Sequence, residues 1–380
     1  MEEIEIKEKN IWQNSKMFTA VLITYMAVLL LFSGIRVVSG LGWLDSLDDE
    51  VVDVGFSIVS QFLIMLAVPL IAMMFVSKKS FKKVAGDFGF GKTSWKVIGF
   101  AFLLGILIYF LNTIVATFSS VILIMFGYRF PMGGSSFDVG LEGLLISIVL
   151  IGVLPGLCEE SCHRGMLLQS FRSRFGVIRA AMITSLLFGL MHLNVVQVFF
   201  AAILGYLIAL AVIATRSIWT GVIMHFCNNA INVYLGMAGE NKWFLYNILD
   251  PLYSLFSGPF GLFIMIGFGY FMYWLIMRIV HMFAKENYLK NEKVYLARFM
   301  QANPNFIKQR VDRGESIAIE DMVVTVRQYV EGLNKGQATK FYLDDQRPKQ
   351  AMSVIEKTLL AGVIFFGSLV TAFTFVWGML

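Results

Sequence analysis

Nine stretches of this chain are apolar over the length that a bilayer demands. They run approximately over residues 17–40, 54–76, 97–127, 142–171, 178–193, 195–214, 217–236, 257–283 and 358–379. A spanning helix needs about 20 mainly apolar residues. The fold class expected is therefore all-α: a polytopic membrane helix bundle of about nine transmembrane helices (eight to ten), with a small cytoplasmic helical segment. Composition agrees. Of 380 residues, 57% are hydrophobic and only 15% are charged, whereas a soluble domain carries about 25% charged residues. The net charge of +5 belongs to loops facing anionic lipid and cytoplasm, so no nucleic-acid partner is expected. Cys158, Cys162 and Cys227 all lie in apolar stretches, which argues against a disulfide framework.

Loop charges orient the chain. The first loop holds Asp45, Asp48, Asp49, Glu50 and Asp53, and the second holds Lys78, Lys79, Lys82, Lys83, Lys92 and Lys96. Arg172, Arg174 and Arg179 follow the fourth stretch, Arg216 the sixth and Arg278 the eighth. By the positive-inside rule the basic loops and the N-terminus are expected in the cytoplasm of a multi-pass protein of the cell membrane. Stretches 178–193 and 195–214 follow so closely that a tight helical hairpin is expected, with HLNV at its turn. Residues 285–356 are charged and mixed, with helical periodicity in AIEDMVVTVRQYVEGL. The organisation expected is an N-terminal tail and two transmembrane helices over 1–95, a core over 96–284, a cytoplasmic helical segment over 285–356 and a C-terminal transmembrane helix over 357–380.

Ionisable side chains inside spans are costly and usually functional. Three clusters stand out: Glu159, Glu160, His163 and Arg164; Phe188 and His192; and His225, Asn228 and Asn229. At 1.5 Å per residue, Glu159 lies roughly 18 Å from the end of its span near Phe171. His192 lies roughly 21 Å into the next span, and His225 and Asn229 roughly 12 and 18 Å into theirs. All fall in the middle band of a core about 30 Å thick, which suggests one water-containing cavity. Glu160 and Arg164 are spaced i,i+4 with the acid first, the favourable order for an ion pair. Arginine keeps its charge and needs a partner at this depth, so that pair is read as structural. Glu159 is about 100° around the helix and free to face elsewhere. Pro155 and Gly156 precede the acids and are expected to kink the helix and leave backbone groups facing the cavity.

The pattern E-E-x-x-x-R (Glu159, Glu160, Arg164), F-x-x-x-H (Phe188, His192) and H-x-x-x-N (His225, Asn229) resembles the CPBP family of intramembrane glutamic endopeptidases, which includes type II CAAX prenyl endopeptidases and Abi proteins. The resemblance covers about residues 95–240. It departs at His163, where the family commonly has an aromatic residue before the motif arginine. The resemblance implies peptide-bond hydrolysis without a covalent intermediate and without a cofactor, acting on a membrane-associated or lipidated peptide or protein. A carboxylate buried among apolar groups has a raised pKa that suits a general base. Glu159 is expected to activate water with His192 helping to hold it, while His225 and Asn229 donate to the oxyanion. Glu160, Arg164 and Phe188 support the site. A lateral or cytoplasmic entrance is required.

Other readings compete. His192, His225 and Glu159 with Cys158, Cys162 or His163 could hold zinc, although no H-E-x-x-H helix is present. Cys162 could act as a nucleophile. Buried Glu, His and Arg also make proton relays in transporters, although no inverted repeat is visible. A noncatalytic scaffold could use the cavity to bind a partner. Individually, Glu160–Arg164 reads as a structural pair, His192 as an interhelical hydrogen bonder, Phe188 as packing, Asn228 as a cap, and the cysteines as small apolar residues.

Overall fold

A computed structural model describes residues 11–39, 48–130, 140–302, 304–344 and 349–379. Residues 1–10 and Asp45 of the acidic first loop lie outside them. The described residues contain helices and no strand. In chain order they are α1 (Ser15–Ser39), α2 (Glu50–Ser77), α3 (Phe81–Phe88), α4 (Trp95–Met125), α5 (Leu141–Phe171), α6 (Val177–Met191), α7 (Val195–Thr215), α8 (Ile218–Asn241), α9 (Phe244–Ser257) and α10 (Gly261–Lys290). Four short helices follow, α11 (Glu292–Ala302), α12 (Pro304–Asp312), α13 (Ile319–Glu331) and α14 (Lys335–Leu343), and then α15 (Val354–Met379).

Among the described residues, seven helices are long and apolar enough to cross a membrane: α1, α2, α4, α5, α7, α10 and α15. The two other expected spans are helices of a different character. α6 is apolar but short, at 15 residues. α8 is 24 residues long, but His225, Asn228, Asn229 and Asn232 dilute its apolar content. These two helices carry polar groups of the expected site.

The hairpin between α6 and α7 turns through Leu193, whose φ of 49° is left-handed. Asn194 then caps α7 by accepting from the amide of Val196 at 2.8 Å, the usual service of an Asn at a helix N-terminus. α8 is held tightly against α4: a Cβ on Gly105 would sit 2.5 Å from the Cβ of Cys227. Small residues at such crossings let helices meet in lipid, where dispersion replaces the hydrophobic drive.

Prolines shape α2 and α5. Residues Ile58–Ala67 of α2 and Ile148–Val153 of α5 are π-helical, and each stretch ends just before a proline, Pro69 or Pro155. Proline lacks the amide proton and crowds the carbonyl four residues back, so the helix widens there instead of breaking. A third π-helical stretch, Ser161–Leu167, follows the glutamates. Such wide turns occur frequently at functional sites.

The ends of α1, α5 and α15 are tied by a buried ion pair. Arg174 Nη2 lies 3.2 Å from Glu356 Oε1, and both side chains are fully enclosed. Glu356 also accepts from the Ser15 hydroxyl at 2.9 Å and from the Ser353 amide at 2.7 Å, so both oxygens of the buried carboxylate are hydrogen-bonded.

Candidate active site

Glu159 and Glu160 adjoin in sequence but occupy different environments. Glu160 is fully buried. Its Oε1 accepts from Arg164 Nη1 at 2.8 Å and from His225 Nδ1 at 3.0 Å. Arg164 Nη2 donates to the Gly205 carbonyl at 3.1 Å, and its guanidinium carbon stands 4.4 Å above the Phe188 ring. The second oxygen of Glu160 packs against the backbone of α8, where a Cβ on Gly221 would approach it to 2.6 Å.

Glu159 instead borders a cavity of about 590 Å³, together with Phe188, His192, His225, Asn228, Asn229 and Ile151. Its Oε1 accepts from Gln61 Nε2 at 2.9 Å, and its Oε2 lies 4.0 Å from His225 Nε2. His225 therefore bridges the two carboxylates. Since a carboxylate can only accept, its Nδ1 carries a proton toward Glu160, and its Nε2 is left facing Glu159.

His192 caps the end of α6 and is half-buried. Its Nδ1 donates to the Phe188 carbonyl at 3.0 Å, which fixes the ring with Nε2 as the remaining functional nitrogen. Asn229 is fixed from both sides. Its Nδ2 donates to the Ile151 carbonyl at 2.8 Å, and its Oδ1 accepts from Asn228 Nδ2 at 2.9 Å. Asn228 Oδ1 in turn accepts from Asn112 Nδ2 at 3.2 Å. Ile151 is the residue four positions before Pro155, so its carbonyl is the one that Pro155 cannot serve.

Phe188 is the hub of the site. Its ring meets the imidazoles of His163, His192 and His225 edge-on, at 4.9, 5.1 and 5.7 Å between centroids. Perpendicular contacts of this kind are the favoured aromatic geometry. With Arg164 on its face, the ring spaces three histidines and a guanidinium around the two acids. His163, the departure from the family pattern, does not border the cavity. It is fully buried, donates from Nδ1 to the Glu159 carbonyl at 2.8 Å, and places Nε2 3.1 Å from the Tyr25 hydroxyl. Tyr25 donates to the Leu187 carbonyl at 2.8 Å.

The structure thus gathers Glu159, His192, His225 and Asn229 around one cavity, with Glu160, Arg164 and Phe188 packed at or behind it. Two contributors escape sequence inspection, Gln61 on α2 and Asn112 on α4. Each is the one side-chain amide in its long apolar run, and that is the signal that could have flagged them. Cys158 and Cys162 are enclosed in the core, away from the cavity. Among the described residues no group of three or more His, Cys, Asp or Glu side chains is placed to hold a metal ion.

Residues 141–231 match the family model described as type II CAAX prenyl endopeptidase Rce1-like. The matched span reaches from the start of α5 into α8, and so includes every motif residue of the cavity wall. No curated protein and no solved structure compared with the chain matches it. The arrangement of α5, α6 and α8 and the family match point the same way: residues 141–231 of this multi-pass membrane protein are similar to the type II CAAX prenyl endopeptidases of the Rce1-like family.

Proposed function

We propose that the protein is an intramembrane glutamic endopeptidase that hydrolyses a peptide bond of a membrane-associated or lipidated peptide or protein. One observation carries this reading. Of the two adjacent carboxylates, one is sealed against Arg164 while the other opens onto the cavity beside two imidazoles. A site that separates the environments of two acids assigns them different tasks.

Charge accounting gives the working state. Glu160 and Arg164 cancel. The remaining site is neutral when Glu159 and His225 hold one proton more than the carboxylate and neutral imidazole together, and net charge in lipid is expensive. With that proton on His225 Nε2, Glu159 is a free base and His225 a donor. Water held between Glu159 Oε2 and His192 Nε2 gives its proton to Glu159 as its oxygen attacks the scissile carbonyl. The oxyanion accepts from His225 Nε2–H and from the second amide proton of Asn229, the kind of fixed donors that contribute most to acyl transfer. Glu159 then passes its proton to the leaving amine, the C–N bond breaks, and the site returns to its starting charge. Gln61 holds Glu159 in place, and the Asn112–Asn228–Asn229 chain holds the amide donor. We place residues 96–284 as the protease core, and the N-terminus and residues 285–356 in the cytoplasm of the cell membrane, on the strength of the basic loops.

The reading is tested by product analysis. Reconstituted protein is supplied with membrane-anchored peptides in the presence of hydroxylamine. Direct water attack yields two peptides with a free carboxylate and a free amine, and no hydroxamate. A hydroxamate product would report a covalent acyl intermediate and overturn the proposal.

A further inference from the structure

The cavity lies in one half of the bundle. On α4 its lining begins at Tyr109 and continues through Asn112, Thr117 and Ser120 to Ile124, the half that ends at Met125. On α7 it uses Gln197 to Leu204, the half farthest from Thr215. Ser120 is roughly 38 Å along α4 from Trp95 at 1.5 Å per residue, more than the thickness of a bilayer core of about 30 Å. The helix ends remote from the cavity are Trp95, Phe171, Val177, Thr215 and Ile218. They adjoin the basic loops with Lys78, Lys79, Lys82, Lys83, Lys92 and Lys96 and with Arg172, Arg174, Arg179 and Arg216. The loops at the other end hold far less basic charge, in Arg36, Arg129 and Lys242.

The route from Glu159 to the basic face is shut. Every residue from Ser161 to Leu168 is buried, the Glu160–Arg164 pair fills the space below Glu159, and Phe88 packs so closely on Gly165 that a Cβ there would meet its ring at 2.8 Å. Among the described residues the opposite rim is open and apolar. Val121, Ile124 and Ile151 are 50%, 59% and 43% exposed, which suits contact with acyl chains. Inside the rim, Asn112, Thr117 and Ser120 line up along one face of α4.

We infer that the cavity admits its peptide laterally from the extracytoplasmic leaflet, so that its substrates are segments presented on that face: exported peptides or the outward-facing ends of membrane-anchored chains. This rests on the protease reading for what the cavity does, and on the basic loops for which side it faces. It narrows the expected lateral or cytoplasmic entrance to a lateral, outward one.

Single cysteines test it without any need for turnover. The wild-type thiols are buried and set the background. Ser120→Cys places a thiol in the cavity wall near the rim, and Lys83→Cys places one on the basic face. Both full-length variants are treated with a membrane-impermeant maleimide, in intact cells and in inside-out vesicles. The inference expects Ser120→Cys to label in intact cells and fall to background in inside-out vesicles, with Lys83→Cys showing the reverse. Labelling of Ser120→Cys from the Lys83→Cys side, or from neither side, overturns it. Because labelling reads the direction of opening alone, failure of the protease reading would show separately, as absent cleavage with this labelling pattern intact.

Discussion

His225 is anchored to Glu160, the carboxylate that faces no cavity: Nδ1 lies 3.0 Å from Oε1, while Nε2 stands 4.0 Å from Oε2 of Glu159. The sealed acid thereby sets the orientation of the histidine that serves the open one. Glu160→Ala removes that anchor and strands the buried charge of Arg164. Breaking such a pair costs about 3–5 kcal/mol. Glu159→Gln, which forfeits about one ordinary hydrogen bond, costs about 1 kcal/mol. Unfolding of the two variants in the same detergent should show Glu160→Ala melting far below Glu159→Gln.

Gln61 is expected to act by positioning. Its Nε2 donates to Glu159 Oε1 at 2.9 Å, and a hydrogen bond to a charged group contributes about 1.5–3 kcal/mol. Gln61→Leu should lower kcat about tenfold or more by that measure, with KM nearly unchanged because the peptide-binding wall is intact. A rise in KM with kcat retained would show that Gln61 binds substrate instead.

Much of this site is legible in the residues alone, and the limits have a physical cause. The i,i+4 spacings of Glu160–Arg164, Phe188–His192 and His225–Asn229 can be read directly, because a helix stacks those positions. Their shared depth follows from the rise per residue. The His225–Glu160 bond cannot be read, since it depends on how α8 rolls against α5. That roll in turn depends on π-helical turns which a 3.6-residue period does not anticipate. Gln61 and Asn112 were hidden because neutral amides in apolar runs resemble ordinary helix-to-helix hydrogen bonders. The polar content of α8 even lowers its hydropathy below that of the other long helices, so the chemistry partly masks the span that carries it.

Gly221 should tolerate no side chain. A Cβ there would lie 2.6 Å from Glu160 Oε2 and 2.9 Å from Val212 Cγ2. Neither neighbour can move without disturbing the ion pair or α7. Gly221→Ala should destabilise by about 1–3 kcal/mol, the usual cost of overpacking, measured as a lowered unfolding midpoint.

The His163–Tyr25 contact calls for a double-mutant cycle. Tyr25→Phe removes the one phenolic proton that lies between two buried acceptors, the Leu187 carbonyl and His163 Nε2, at a cost of about 1–3 kcal/mol. His163→Phe removes one of those two acceptors and leaves the Tyr25 proton to the Leu187 carbonyl. The double variant should therefore be more stable than the two single losses sum to, with a coupling of about 0.5–3 kcal/mol. Strict additivity in thermal unfolding would mean that the two side chains do not communicate.

The central claim is that Glu159 is the base. Wild type and Glu159→Gln are reconstituted side by side and given the same membrane-anchored peptide, and initial cleavage rates are compared at equal amounts of folded protein. The account predicts that Glu159→Gln binds the peptide and cleaves it about 10²- to 10⁴-fold more slowly, the usual contribution of a positioned base. Cleavage at the wild-type rate by Glu159→Gln would contradict it.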